Sequence, residues 1–321
     1  MSSKNYISEA PFIYAKADTT SIMADVLIAL IPSIAAGIYL YGTSMIFSVL
    51  VCAASCMCFE AVFQKLLGRT VTVKDMSAAV TGTIIALNLP TDVSPWIGIL
   101  GSFIAIVVVK QLFGGIGRNF ANPALVAILV LYRSSPADTS SWIVNSKMIP
   151  AIYDAANGAR TGYTVLQLQK INGDLPSAVQ MLTGFKNGPA ANAWAIAAVI
   201  GGLYLIAKKV ISPVLPAAFL ATVSIASLLH GSNPLFQICA GGVMFYAFFM
   251  ANDYATMPVT ALGKIIAGVI LGIITMFFRT YSSVSDGIAY ALLFVNILTP
   301  RIDAMTMPRP FGEVRGGKTR E

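Results

Sequence analysis

The chain has 321 residues, of which 56% are hydrophobic and only 11% charged, and its net charge is +7. Soluble domains carry roughly 25% charged residues, so such a chain could not cover itself with polar surface in water. Several apolar runs approach the roughly 20 residues that cross a hydrocarbon core of about 30 Å, which makes lipid the solvent for most of the protein. These runs are continuously apolar. A β-barrel would alternate polar and apolar over segments of about 10 residues, so an all-α polytopic bundle is expected.

The first 20 residues, MSSKNYISEAPFIYAKADTT, are polar and offer no apolar core for a cleavable signal peptide. Beyond them the pattern predicts about ten crossings. Five run over 21–41, 45–63, 77–89, 96–113 and 122–132, and five over 191–207, 214–229, 235–251, 262–278 and 287–298. With the N-terminus inside, 15 of the 21 Lys and Arg residues face the cytoplasm. Six fall outside (Arg133, Lys147, Arg160, Lys170, Lys186 and Arg279), five of them in one long loop where the positive-inside rule has least force. Both termini are therefore predicted cytoplasmic. Topology accounts for the positive charge, and a nucleic-acid partner is not expected.

Two crossings are short and flanked by helix breakers, AAVTGTIIALNLPTDVSP and GGIGRNFANPALVAILVLY. In the second half, AGGVMFYAFFMANDYATMPV repeats the order of small residues, apolar run, Asn, Asp and Pro found in the first of them. Five crossings per half would insert the second half upside down relative to the first. Such inverted repeats place broken helices around a site near the midplane. The expected organisation is a first five-helix repeat over 1–132, an outer segment over 133–189, and a second repeat with a cytoplasmic tail over 190–321.

Cys52, Cys56, Cys58 and Cys239 form no CxxC pair, and His230 is the single histidine. Ligands for a zinc or thiolate iron–sulfur site are therefore too few. The Gly-rich stretch GGIGRNFANPA lacks the preceding strand of a dinucleotide fingerprint. Its glycines fit close helix approach, and Asn119 and Asn122 can present polar groups to a midplane site. Asp25 and Glu60, in or near apolar spans, suggest either an ion or proton route or placement at the cytoplasmic interface. Asp92, Asp253 and Asp286 stand at helix edges as capping or solvated residues, and His230 at an outer turn as an interfacial one.

The segment 133–189 is long for a membrane connection, and loops of that length carry function or are disordered. Trp142, Ile149, Ile152, Tyr153, Leu166 and Leu168 give it the apolar content of a folded cap. At its middle, YDAANGARTGYTVLQLQK leads into a short amphipathic helix beginning near Val165, for which Thr161 and Thr164 are candidate N-caps.

The segments SIMADVLIALIPSIAAGIYLYG, AVTGTIIALNLP, KQLFGGIGRNFANPAL, FFMANDYATMPVT, SDGIAYALLFVNILTPRID and PRPFG occur in order along nearly the whole chain. In them the sequence resembles the family of the D subunit of the Rnf complex, a membrane-bound ferredoxin:NAD⁺ oxidoreductase, and of the B subunit of the sodium-pumping NADH:quinone reductase. The quinone-reductase relatives carry an N-terminal extension, so the length favours the Rnf type.

That resemblance implies an FMN esterified through its phosphate to a threonine in the outer loop, within a pattern like Ser-Gly-Ala-Thr followed by an apolar pair ending in Leu. Here Thr161 takes the Ser place, Gly162 matches, Tyr163 replaces Ala, and Thr164 is the acceptor with Leu166 two residues on. A competing register aligns Asp154, Asn157, Gly158 and Ala159 and puts Arg160 at the acceptor place. Arginine cannot form the ester, so Thr164 is preferred, with Thr161 as the fallback.

The resemblance further implies electron relay in an ion-translocating (Na⁺ or H⁺) complex of the prokaryotic cytoplasmic membrane, with the flavin loop on the outer face. Its implied partners are other membrane and peripheral redox subunits with iron–sulfur centres and flavins, and a flavin transferase for maturation. A second, non-covalent flavin is left open. The five-plus-five plan also resembles that of urea transporters, so a small-solute channel without redox role is the alternative.

Overall fold

The computed structural model describes residues 18–136, 164–170, 181–182, 188–282 and 286–308. Every regular element among these residues is helical. Helix α1 (Thr19–Tyr41) starts at Asp18, whose carboxylate accepts the Thr19 N–H at 2.8 Å. It is joined to α2 (Thr43–Leu66) through Gly42 alone. Gly42 has φ 73°, a conformation that costs a residue without Cβ little and lets two long helices reverse within one residue. Among the described residues four helices are long and apolar enough to cross a membrane: α1, α2, α11 (Ala261–Tyr281) and α12 (Ile288–Thr306).

The remaining apolar helices are shorter. In the first half these are α3 (Ser77–Asn88), α4 (Pro95–Gln111) and α5 (Pro123–Ser134). At 1.5 Å per residue, α3 and α5 extend about 18 Å, little more than half the hydrocarbon core. α4 turns from α-helical to π-helical geometry at Ile104, and the wider ladder is visible where Leu112 N–H bonds Val107 O at 3.0 Å.

After α6 (Val165–Lys170) the second half contains α7 (Ala195–Ala207), α8 (Val214–Leu229), α9 (Pro234–Cys239) and α10 over 243–250. The crossing expected as one run over 235–251 is broken. Its two pieces are separated by Ala240, Gly241 and Gly242, with Gly241 at φ 59°. A small-residue stretch reads as apolar in sequence, yet here it yields the space to buried polar groups described below.

Glycines set the closest helix contacts. A Cβ on Gly82 would stand 2.5 Å from the carbonyl oxygen of Cys52, so α3 lies directly on the backbone of α2. A Cβ on Gly201 of α7 would overlap the Ala29 carbonyl of α1, and one on Gly268 of α11 would come within 2.9 Å of Leu215 O in α8. Small residues serve this purpose in lipid, where helices associate through close packing rather than hydrophobic exclusion of water. Outward side chains such as Phe47, Leu50, Ile273 and Phe277 are exposed and apolar, as lipid contact requires.

Candidate functional site

Two polar constellations lie at opposite ends of the bundle. At the end where α1 begins, a cavity of about 280 Å³ opens between the two halves. Its walls come from the starts of α1, α3 and α5, the end of α4, the α7–α8 turn, and the segment after α10. Val80, Ile84, Leu205, Ile211, Phe248 and Phe249 make it largely apolar. Asn119, Asn122, Asn252, Asp253 and Lys110 supply its polar groups.

Local structure fixes these polar residues. Asn122 is the N-cap of α5, accepting Leu125 N–H at 3.3 Å, and Pro123 at the first helical position fits the start without losing a needed donor. Asn119 donates to Ala121 O at 2.9 Å, holding the Gly-rich turn. Asn252 donates to Ala247 O at 2.9 Å, while its Oδ1 is buried with no hydrogen-bond partner among the described residues. Asp253, expected as a simple cap or solvated residue, is half-buried in the cavity wall and accepts from Thr256 Oγ1 at 3.2 Å.

Behind the wall lies a buried ion pair. Lys110 Nζ is 2.7 Å from Glu60 Oε1 and 2.7 Å from Ser77 Oγ. Gln111 also donates to Glu60 Oε1, at 2.8 Å, whereas Glu60 Oε2 is buried without a partner among the described residues. Glu60, for which the sequence leaves an ion or proton route and an interfacial position both open, is 0% exposed, because α4 brings a lysine against it. Asp25, by contrast, is half-buried. It accepts from Tyr204 Oη at 2.7 Å and lies 4.0 Å from Lys208 Nζ, tying α1 to α7 at the rim.

At the other end, Arg279 in the last turn of α11 is only 5% exposed. It donates to the carbonyls of Gln237 (2.6 Å) and Ala240 (2.9 Å), to Gln237 Oε1 (3.1 Å) and to Asp286 Oδ1 (3.2 Å). Asp286 Oδ2 accepts Gly242 N–H at 3.0 Å. The break between α9 and α10 is therefore satisfied by one guanidinium and one carboxylate. Arg279, assigned from sequence to the outer side, and Asp286, expected as a capping or solvated residue, together form this plug, the guanidinium buried and the carboxylate half-buried. Among the described residues no group of three His, Cys, Asp or Glu could hold a metal ion. Cys52, Cys56 and Cys239 are buried and Cys58 is exposed, and His230 caps the end of α8.

Beside this plug sits α6. Thr164 precedes it in a reciprocal capping box: Thr164 N–H donates to Gln167 Oε1 at 2.7 Å, and Gln167 N–H donates to Thr164 Oγ1 at 3.3 Å. Val165 and Leu166, each 4% exposed, pack against Met181, Ala195, Phe236, Cys239 and Ala240. Thr164 itself is half-buried at the start of the helix, where its hydroxyl oxygen accepts the Gln167 N–H. A phosphoester on that oxygen leaves it able to accept, so the residue fits the acceptor role. Thr161, Gly162 and Tyr163, and the competing register Asp154 to Arg160, lie outside the described residues.

Long apolar helices, half-length helices between the two halves, and buried charge at both ends define a polytopic α-helical membrane protein with polar sites inside the bundle. Comparison with known proteins narrows this class: residues 6–312 match the model of the NQR2, RnfD, RnfE family, and the chain belongs to that family. It is 42% identical over 310 residues to the D subunit of the Na⁺-translocating ferredoxin:NAD⁺ oxidoreductase complex of Acetobacterium woodii, covering 95% of each chain. Identity is 32% over 323 residues to the D subunit of the proton-translocating ferredoxin:NAD⁺ oxidoreductase complex of Clostridium ljungdahlii, covering 96% of each. The D subunit of the ion-translocating oxidoreductase complex of Halorhodospira halophila is 33% identical over 340 residues, covering 96% of this chain and 95% of the relative.

Proposed function

We propose that this protein is the D-type membrane subunit of an ion-translocating ferredoxin:NAD⁺ oxidoreductase complex and relays electrons through an FMN joined to Thr164. The observation that carries the cofactor assignment is the placement of Thr164: a half-buried hydroxyl at the start of a helix docked on the bundle. Family membership and the activities of the complexes to which the relatives belong support the redox role over a solute channel. Bound there, the flavin supplies the redox chemistry, and the chain's own contribution is to hold and orient it.

A second, non-covalent flavin is assigned to the cavity at the other end. Its apolar walls, including Phe248 and Phe249, suit a flat aromatic ring system. Asn119, Asn122, Asn252 and Asp253 suit the hydrogen-bonding edge, and Asn252 Oδ1 is an acceptor lacking a donor. The two halves are read as inverted repeats of five helices, similar in plan to urea transporters. In support, the fourth helix of each half ends in a buried cation, Lys110 or Arg279, at opposite ends of the bundle. Each bonds the third crossing of its half, Lys110 at Ser77, the first residue of α3, and Arg279 at Ala240 in the break between α9 and α10.

Both termini and the cavity face the cytoplasm and α6 the outer side of a prokaryotic cytoplasmic membrane. Iron–sulfur and flavin subunits of the complex are donor and acceptor, and a flavin transferase attaches the FMN. Denaturing electrophoresis of the native complex tests the cofactor reading. A fluorescent band at the mass of this chain is expected, and a fully expressed chain without fluorescence would refute the covalent flavin.

A further inference from the structure

The outer end of the bundle holds α6 by a contact whose donor and acceptor are both determined. Gln237 is 3% exposed, and its amide oxygen accepts from Arg279 Nη1 at 3.1 Å. Guanidinium has donors only, so it forces the oxygen of that amide toward itself and the NH₂ group away. The Gln237 Nε2 is thereby aimed at α6, where it donates to Gln169 Oε1 at 3.3 Å. Asp286, 3.2 Å from Arg279 Nη2, anchors the guanidinium in turn. One turn of helix separates Gln169 from the capping box of Thr164.

The same guanidinium closes the break between α9 and α10, so its position is fixed by the membrane core. A Cβ at Gly241 would overlap Asp286 Oδ2 and come within 2.8 Å of Arg279 Nη2, so the backbone there leaves the pair no room to shift. Lys170 adds a second tie from α6, donating to Ser282 O at 2.5 Å at the end of α11.

We propose that Gln237 and Arg279 are positioning residues, forming a hydrogen-bonded chain from Asp286 to Gln169 that docks α6 and fixes Thr164 relative to the bundle. The inference deepens the flavin reading, since a carrier on Thr164 would take its distance to its electron partners from this dock. The docking itself is a statement about α6 alone.

The experiment uses a nitroxide spin label on Thr164→Cys in a Cys58→Ser chain assembled in its native complex, which removes the flavin acceptor and reads the mobility of the helix start directly. Gln169→Leu keeps the bulk and loses the acceptor. It should lower the ratio of immobilised to mobile label about fivefold, the effect of one net hydrogen bond. Gln169→Glu retains an acceptor for Gln237 and should keep the label immobilised. A packing role alone would rank these two variants the other way. Gln237→Met should mobilise the label as Gln169→Leu does, and the double variant should add nothing further.

Equal mobility in the parent, Gln169→Leu and Gln237→Met would overturn the proposal. In chains that retain Thr164, fluorescence anisotropy of the covalent flavin should fall in Gln169→Leu and hold in Gln169→Glu. A docked label together with no covalent flavin in the Thr164 chain would leave the dock standing and remove the flavin reading instead.

Discussion

Lys110 and Glu60 are 50 residues apart in sequence and 2.7 Å apart in space, with neither side chain more than 4% exposed. A buried pair is a weak source of net stability, but removing one member strands a charge in a low-dielectric interior. Lys110→Met should therefore destabilise the purified protein by about 3–5 kcal/mol. Replacing both, with Glu60→Leu added, should recover a large part of that loss. Thermal unfolding of the two variants in detergent checks this, and equal loss in single and double variants would contradict it.

The contact between α3 and α2 leaves no space at Gly82, where a Cβ would stand 2.5 Å from Cys52 O and 2.6 Å from Ala53 Cα. Both neighbours are backbone, so the helices must separate. Gly82→Ala should cost about 1–3 kcal/mol, in line with overpacked cores. Unchanged melting of this variant would show that the helices are not in direct contact.

How much of the molecule is legible in its sequence differs by element. Continuous apolar runs and the breakers at Pro90, Asn122 and Pro123 mark the spans and the half-length helices, because hydropathy and helix breaking are local properties. The break at Ala240–Gly242 is hidden, since small residues score as apolar and the group that fills the break, Arg279, comes from another helix. The burial of Glu60 is hidden for the same reason: depth along a helix says nothing of a lysine delivered by α4. The pairing of Thr164 with Gln167 three residues on, a T-x-x-Q box, is readable as a helix start and is observed. That α6 is seated over the α9–α10 break cannot be read, because it depends on Gln237 and Arg279 far along the chain.

Sidedness is tested on α6. In sealed membranes a Lys170→Cys chain should react with an impermeant maleimide from the outer face, in accord with the excess of basic residues in the opposite connections. Reaction from the cytoplasmic side alone would reverse the orientation of the whole bundle.

Electron relay needs a donor and an acceptor within tunnelling range, and the proposed flavins are carriers between partner subunits. The chain purified by itself should retain flavin yet show no ferredoxin:NAD⁺ turnover. Robust turnover by the isolated chain would contradict its assignment as a relay.

Replacement of the acceptor has two separable effects. Thr164→Ala removes the oxygen that the phosphate would be joined to and also the N-cap, which costs about 1 kcal/mol and is confined to α6. The variant should insert and assemble while losing covalent flavin and electron transfer together. Thr164→Ser keeps a capping hydroxyl and should retain some flavin, and Thr161→Ala should at most weaken its attachment.

Trypsin cleaves after Arg160 and Lys170, so one peptide, TGYTVLQLQK, contains both candidate threonines. Fragmentation of this peptide from the native complex should place a flavin-phosphate adduct on Thr164 and leave Thr161 unmodified. An adduct on Thr161, or an unmodified peptide from the native complex, would contradict the assignment of Thr164 as the flavin carrier.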